Sequence, residues 1–145
     1  MPYYSSSSLK WPDPGPMSVP DYQVSALPWV TSSVVTTTAT AVSFPTTTRW
    51  VEVRNLGTQA LRVGFSENGV NANPANQAHY FTLPAASAAL VSPTTARWEL
   101  RCSRLFVAAA SSTTTYSLIA GLTGIPGRYF TDMSASLGTF YNGIG

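Results

Sequence analysis

The stretch RWVEVRNLGTQALRVGF, Arg49 to Phe65, sets the fold class of this chain. Val51 and Val53 alternate with Trp50, Glu52 and Arg54, and after NLGTQ the alternation resumes in Leu61, Val63 and Phe65. A period of two places one row on a buried face and the other outside, the signature of half-buried strands. The short polar connection with Gly57 predicts a β-hairpin, with the glycine supplying a positive φ. Its mixed face would carry Trp50, Arg54 and Arg62 together.

Outward from the hairpin, strand signals dominate. WVTSSVVTTTATAVSF, Trp29 to Phe44, is rich in β-branched residues, has no Pro or Gly, and reads as two short strands or one long one, closed by Pro45. SENGVNANPANQ, Ser66 to Gln77, reads as a long polar loop with Asn-Gly and Asn-Pro turn signals. HYFTLP is a short strand, and AASAALVSPTT is a helical turn or a connection ended by Pro93. ARWELRC and LFVAAA are expected to pair, and TTTYSLIAGL is the last strong strand. RWVEVR and RWELR echo each other, but the match slips by one residue after the tryptophan and does not amount to a repeat. The expected fold is all-β: a single antiparallel β-sandwich or jelly roll of about eight strands, with extended N- and C-terminal segments.

The organisation follows from composition. Residues 1–28 form a proline-rich arm, 29–125 the sandwich, and 126–145 a C-terminal docking tail. Prolines 2, 12, 14, 16, 20 and 28 deny the arm a regular ladder, yet it carries aromatic residues that a purely solvating tail lacks. The tail has lost strand alternation and keeps its aromatics. Partner-binding candidates are therefore Tyr3, Tyr4, Trp11 and Tyr22 in the arm, Trp50, Arg54 and Arg62 on the hairpin, and Tyr129, Phe130, Phe140 and Tyr141 in the tail.

At 145 residues there is room for one domain with a real core. Charged residues make up only 10% of the chain, against roughly 25% in ordinary soluble domains. Such a surface is either rich in hydroxyl groups or spends its area on neighbouring subunits, and the second reading is preferred. The net charge of +2, from seven arginines and Lys10 against six acids, is too small to indicate nucleic acid without a clustered patch. No apolar run reaches the roughly 18 residues of a membrane helix, and the N-terminus has no secretory-signal pattern. Cys102, alone of its kind, reads as a small buried residue.

Little catalytic chemistry is visible. Glu52 and Glu99 sit among basic neighbours and read as solvated or cross-strand ion pairs; a glycosidase-like pair would require them to face one groove. His79 with Cys102 is too small a set for structural zinc, and no phosphate loop or nucleophile elbow occurs. No enzyme activity, cofactor or metal is expected. The loop Ser66 to Gln77, with Trp50 or Trp98 as a stacking face, is a candidate sugar site as well as an ordinary surface loop.

RWVEVRNLGTQALRVGFSENGV, followed by HYFTLP, RWELRCSRLFVAAAS and TYSLIAGLTGI, resembles small β-sandwich virion proteins of bacteriophages: cement, decoration, vertex or fibre-base components. The likeness covers Arg49 to Ile125, rests on pattern and composition, and transfers no binding residue. It implies a non-enzymatic capsid component located in the virion. Such a component would form a trimer or pentamer and bind the major capsid protein or other virion proteins through its terminal arm. The alternative is a receptor- or carbohydrate-binding module, with a glycan as ligand.

Overall fold

The computed structural model describes residues 14–23, 26–71, 79–87, 89 and 91–127, with the side chains of Asp21 and Tyr22 outside that description. Seven strands and two short helices occupy these residues: α1 Val19–Gln23, β1 Leu27–Val35, β2 Thr40–Ser43, β3 Thr46–Asn55, β4 Leu61–Gly64, α2 Glu67–Asn71, β5 Tyr80–Leu83, β6 Arg104–Ala109 and β7 Thr114–Pro126. They form two antiparallel sheets of order β1-β7-β3 and β2-β6-β4-β5, the expected β-sandwich. No helix among the described residues is long and apolar enough to cross a membrane.

The predicted hairpin does not form. β3 pairs with β7 and β4 pairs with β5 and β6, so Arg49 to Phe65 is an arch that crosses from one sheet to the other. Val51, Val53, Leu61 and Val63 are all buried, meeting across the interior rather than lying side by side. An alternating pattern is identical in the two arrangements, because each requires the same row of each strand to face the core. The β1–β2 connection is a second arch, so Trp29 to Phe44 is two strands in different sheets.

Asn55 decides the geometry of the first arch. Fully buried, its side chain donates to the carbonyls of Gln59 and Pro84, each at 2.8 Å, and accepts from Gly57 N–H at 3.1 Å and the Thr114 hydroxyl at 2.9 Å. Two donors and two acceptors are thereby satisfied. Gly57 has no positive φ; a Cβ there would fall 2.7 Å from Thr115 N, so the glycine is required by close approach to β7.

ARWELRC is not a regular strand paired with β6. Residues 93–102 form a strap along the outer edge of β3. Asn55 N–H donates to Pro93 O at 2.8 Å, Thr95 N–H to Val53 O at 2.8 Å, Val51 and Trp98 exchange two bonds of 3.0 and 2.9 Å, and Thr48 N–H donates to Cys102 O at 3.0 Å. β3 is bulged between Thr46 and Trp50, and the strap meets it at uneven intervals, so the ladder is broken.

The loop reading of Ser66 to Gln77 also needs correction. Ser66 Oγ accepts from Gly69 N–H at 3.1 Å, an N-cap that starts α2. Val70 is buried against Phe106 and Ala108, covering the outer face of β6. This explains why RLFVAA is apolar without alternation: both its faces are covered. In the arm, α1 stands where an extended segment was expected, with Pro20 in its first turn, where a missing N–H costs nothing.

An aromatic cleft and an open strand edge

The inner row of β5 runs past the end of the opposing sheet. Val63 on β4 pairs with Phe81 on β5, so both face inward; Val63 is 1% exposed and Phe81 is 51% exposed. The strap brings Trp98 over this open end. Its ring meets Phe81 edge-on at 5.6 Å between centroids and Phe65 at 6.3 Å with a tilt of 47°, inside the range of favourable aromatic pairs. The result is a cleft of about 690 Å³ floored by Val63, Phe65, Phe81, Trp98 and Leu100, with His79, Arg97 and Glu99 at its rim. That volume suits one sizeable ligand group or a short peptide segment.

Arg97 organises the rim. It forms an ion pair with Glu99, its Nε 2.6 Å from Oε1, and lies 5.1 Å over the Trp50 ring. Both charged partners are more than half exposed, so the pair positions side chains more than it stabilises the fold. It joins two residues of the strap rather than two strands, so of the two expectations for Glu99 the solvated ion pair holds and the cross-strand one does not. A second depression, lined by Arg49, Glu99, Leu100 and Arg101, adjoins the cleft through Glu99 and Leu100.

The structure separates the hairpin candidates. Trp50 and Arg54 lie on the outer face of the β1-β7-β3 sheet, whereas Arg62 lies on the outer face of the other, over the Tyr80 ring at 5.0 Å. Trp50 packs against Gly121, where a Cβ would come within 2.6 Å of the indole. Arg54 Nε reaches the Thr94 hydroxyl at 3.3 Å. Tyr3, Tyr4, Trp11, Tyr129, Phe130, Phe140 and Tyr141 lie outside the described residues, as does the side chain of Tyr22. Residues 72–78 of the suggested sugar loop lie outside them too, and of its two aromatic partners only Trp98 lines the cleft.

The titratable residues do not assemble into one set. Glu52 lines a shallow hollow with Val30, Arg54, Ser117 and Ile119, while Glu99 and His79 line the aromatic cleft. Among the described residues, no three His, Cys, Asp or Glu side chains are grouped to hold a metal. Cys102 is buried, as expected, and burial pushes its thiol up to about 11 despite opposing hydrogen bonds from Thr48 and the Arg104 backbone. A neutral, enclosed thiol is a poor nucleophile.

A second surface escaped the sequence reading. β1 is an edge strand of nine residues, LPWVTSSVV, without a charge. The strap covers the β3 edge of the same sheet, but among the described residues nothing pairs with the free edge of β1. Val30 and Val34 point outward at 63% exposure each, and Ile119 stands opposite Val30. The strand character of this β-branched run was visible; which strand would end at the edge was not.

No protein-family model matches the chain, and neither the curated proteins nor the solved structures contain a match to it.

Proposed function

We propose that this chain is a non-enzymatic structural protein of a virus particle, a capsid cement, decoration or vertex component that self-associates into a closed trimer or pentamer. The observation that carries self-association is the edge of β1, which no described residue pairs with. A long, uncharged edge strand beside exposed Val30, Val34 and Ile119, whose one proline, Pro28, stands at its start, lacks the lysines and bulges that keep monomeric sheets apart. Such an edge in a working protein is an interface, and identical subunits joined through it close into a ring when the rotation permits. The separation of Glu52 from Glu99 and His79 supports a binding role over catalysis. The virion assignment rests on the resemblance of Arg49 to Ile125 to phage sandwich proteins.

Its test is quantitative mass spectrometry of purified particles from cells that make the chain. A fixed copy number per particle, in a ratio to the capsid protein that symmetry allows, supports the assignment. Absence from particles overturns it.

A second reading, glycan or receptor binding, is favoured by the cleft, since Phe81 and Trp98 offer ring faces beside Arg97, Glu99 and His79. A glycan array decides it: a specific hit lost in Phe81→Ala supports this reading, and an array without hits removes it.

A further inference from the structure

The Asn-Gly signal of the sequence, Asn68–Gly69, lies inside α2. Asn68 is exposed to water, whereas Gly69 is buried. The backbone around the pair is clamped from several sides. Gly69 N–H donates to Ser66 Oγ at 3.1 Å and Val70 N–H to Ser66 O at 3.2 Å, while Gly69 O accepts from His79 N–H at 3.3 Å. Asn71 Oδ1 accepts from Ala39 N–H at 2.8 Å, and Val70 packs on Phe106 and Ala108.

An asparagine followed by glycine is chemically labile wherever the backbone is free to move, because glycine has no side chain to obstruct attack. The glycine nitrogen attacks the asparagine Cγ, forming a C–N bond and a five-membered succinimide, and the side-chain amide nitrogen leaves as ammonia with the proton that the glycine N–H gives up. Water then opens the ring at either carbonyl, leaving aspartate or isoaspartate. Closed α2 forbids the first step. Ring closure turns ψ of the asparagine away from the helical value of about −42°, and it needs the Gly69 nitrogen released from Ser66 Oγ.

We propose that Asn68–Gly69 is a modification site gated by α2, which deamidates only when α2 opens and whose isoaspartate product keeps α2 from closing again. The gate is local. α2 has five residues and one apolar anchor, Val70, so it opens at a smaller free energy than the sandwich it covers. Isoaspartate routes the main chain through Cβ and adds one backbone atom before Gly69, so the bonds to Ser66 and the seat of Val70 are not restored together. Phe106 and Ala108 on the outer face of β6 are then left uncovered. Aspartate, the other product, keeps the length of the main chain and lets α2 close. The inference holds whether or not the chain belongs to a particle.

The test incubates the full chain at mildly alkaline pH, in buffer and in unfolding urea. Aspartate and isoaspartate at residue 68 are quantified against time by peptide mapping with mass spectrometry, which separates this site from Asn142–Gly143 of the tail. The folded chain should react more slowly than the unfolded one by roughly tenfold or more. Ser66→Ala should speed the folded reaction about fivefold, the effect of one lost cap. Val70→Ala, which leaves the cap in place, should speed it as well, and in urea both variants should match the natural chain. The isoaspartate form should lose hydrogen-exchange protection at Gly69 and Val70, while Asn68→Asp should keep it. A folded rate equal to the urea rate, or a folded rate that neither variant moves, overturns the proposal. Protection retained in the isoaspartate form also overturns it.

Discussion

Asn55 holds the two sheets in register, because its four hydrogen bonds join the end of β3, the arch, the segment after β5 and the start of β7. Asn55→Ala leaves buried carbonyl and N–H groups unmatched and is expected to cost about 3 kcal/mol in urea unfolding. Thr47 offers the opposite case. Its fully buried hydroxyl has no hydrogen-bond partner, so Thr47→Val should raise stability by about 1 kcal/mol. Cys102 makes stability depend on pH with a definite sign. Above the ordinary thiol value of 9.0 the unfolded chain releases its proton, while the folded thiol keeps it until about 11. The unfolded state then binds fewer protons, so stability is complete below pH 9 and falls as pH rises to 11, by on the order of 2–3 kcal/mol. Tyr116, also raised by burial, acts in the same direction at higher pH. Cys102→Ala should flatten the decline, as followed by urea midpoints from pH 8 to 11. The burial of Cys102 was legible from its place, as a lone small thiol, in the strand-like run RWELRCSRLF. The role of Asn55 was not, because a polar residue at a turn is the same letter whether it faces water or bridges two sheets.

Among the elements, the strands were legible and their partners were not. Val51, Val53, Leu61 and Val63 announce buried rows, but a hairpin and an arch bury the same rows. The choice is made by contacts distant in sequence, Leu56 N–H to Thr115 O at 2.8 Å and Gly57 against β7. The helix α2 was missed for a related reason. Asn-Gly signals a turn, and the one apolar residue of α2, Val70, has meaning only against Phe106 and Ala108. Ser66→Ala removes the cap and should cost about 1 kcal/mol, with the loss of hydrogen-exchange protection concentrated at residues 69 and 70 as the check. The cleft was half legible. HYFTL puts Phe81 in the same row as Leu83, but only the length of the opposing sheet leaves Phe81 at the surface.

For the whole molecule, the scarcity of charge and the open edge of β1 point to the same property. A sandwich with 10% charged residues has little to repel its copies, and LPWVTSSVV presents, without a single charge, an edge that no described residue pairs with. The scarcity of charge was legible in the composition, whereas the exposed edge follows only from the strand order. Self-association through β1 is a proposal that the mass in solution of the full chain and of Val30→Lys/Val34→Lys, by size exclusion with light scattering, tests. Both substitutions sit on the outward row and leave the core intact. A discrete oligomer is expected for the natural chain and a folded monomer, with unchanged circular dichroism, for the variant. A natural chain that runs as a monomer at all concentrations, or an oligomer indifferent to the two lysines, would contradict it.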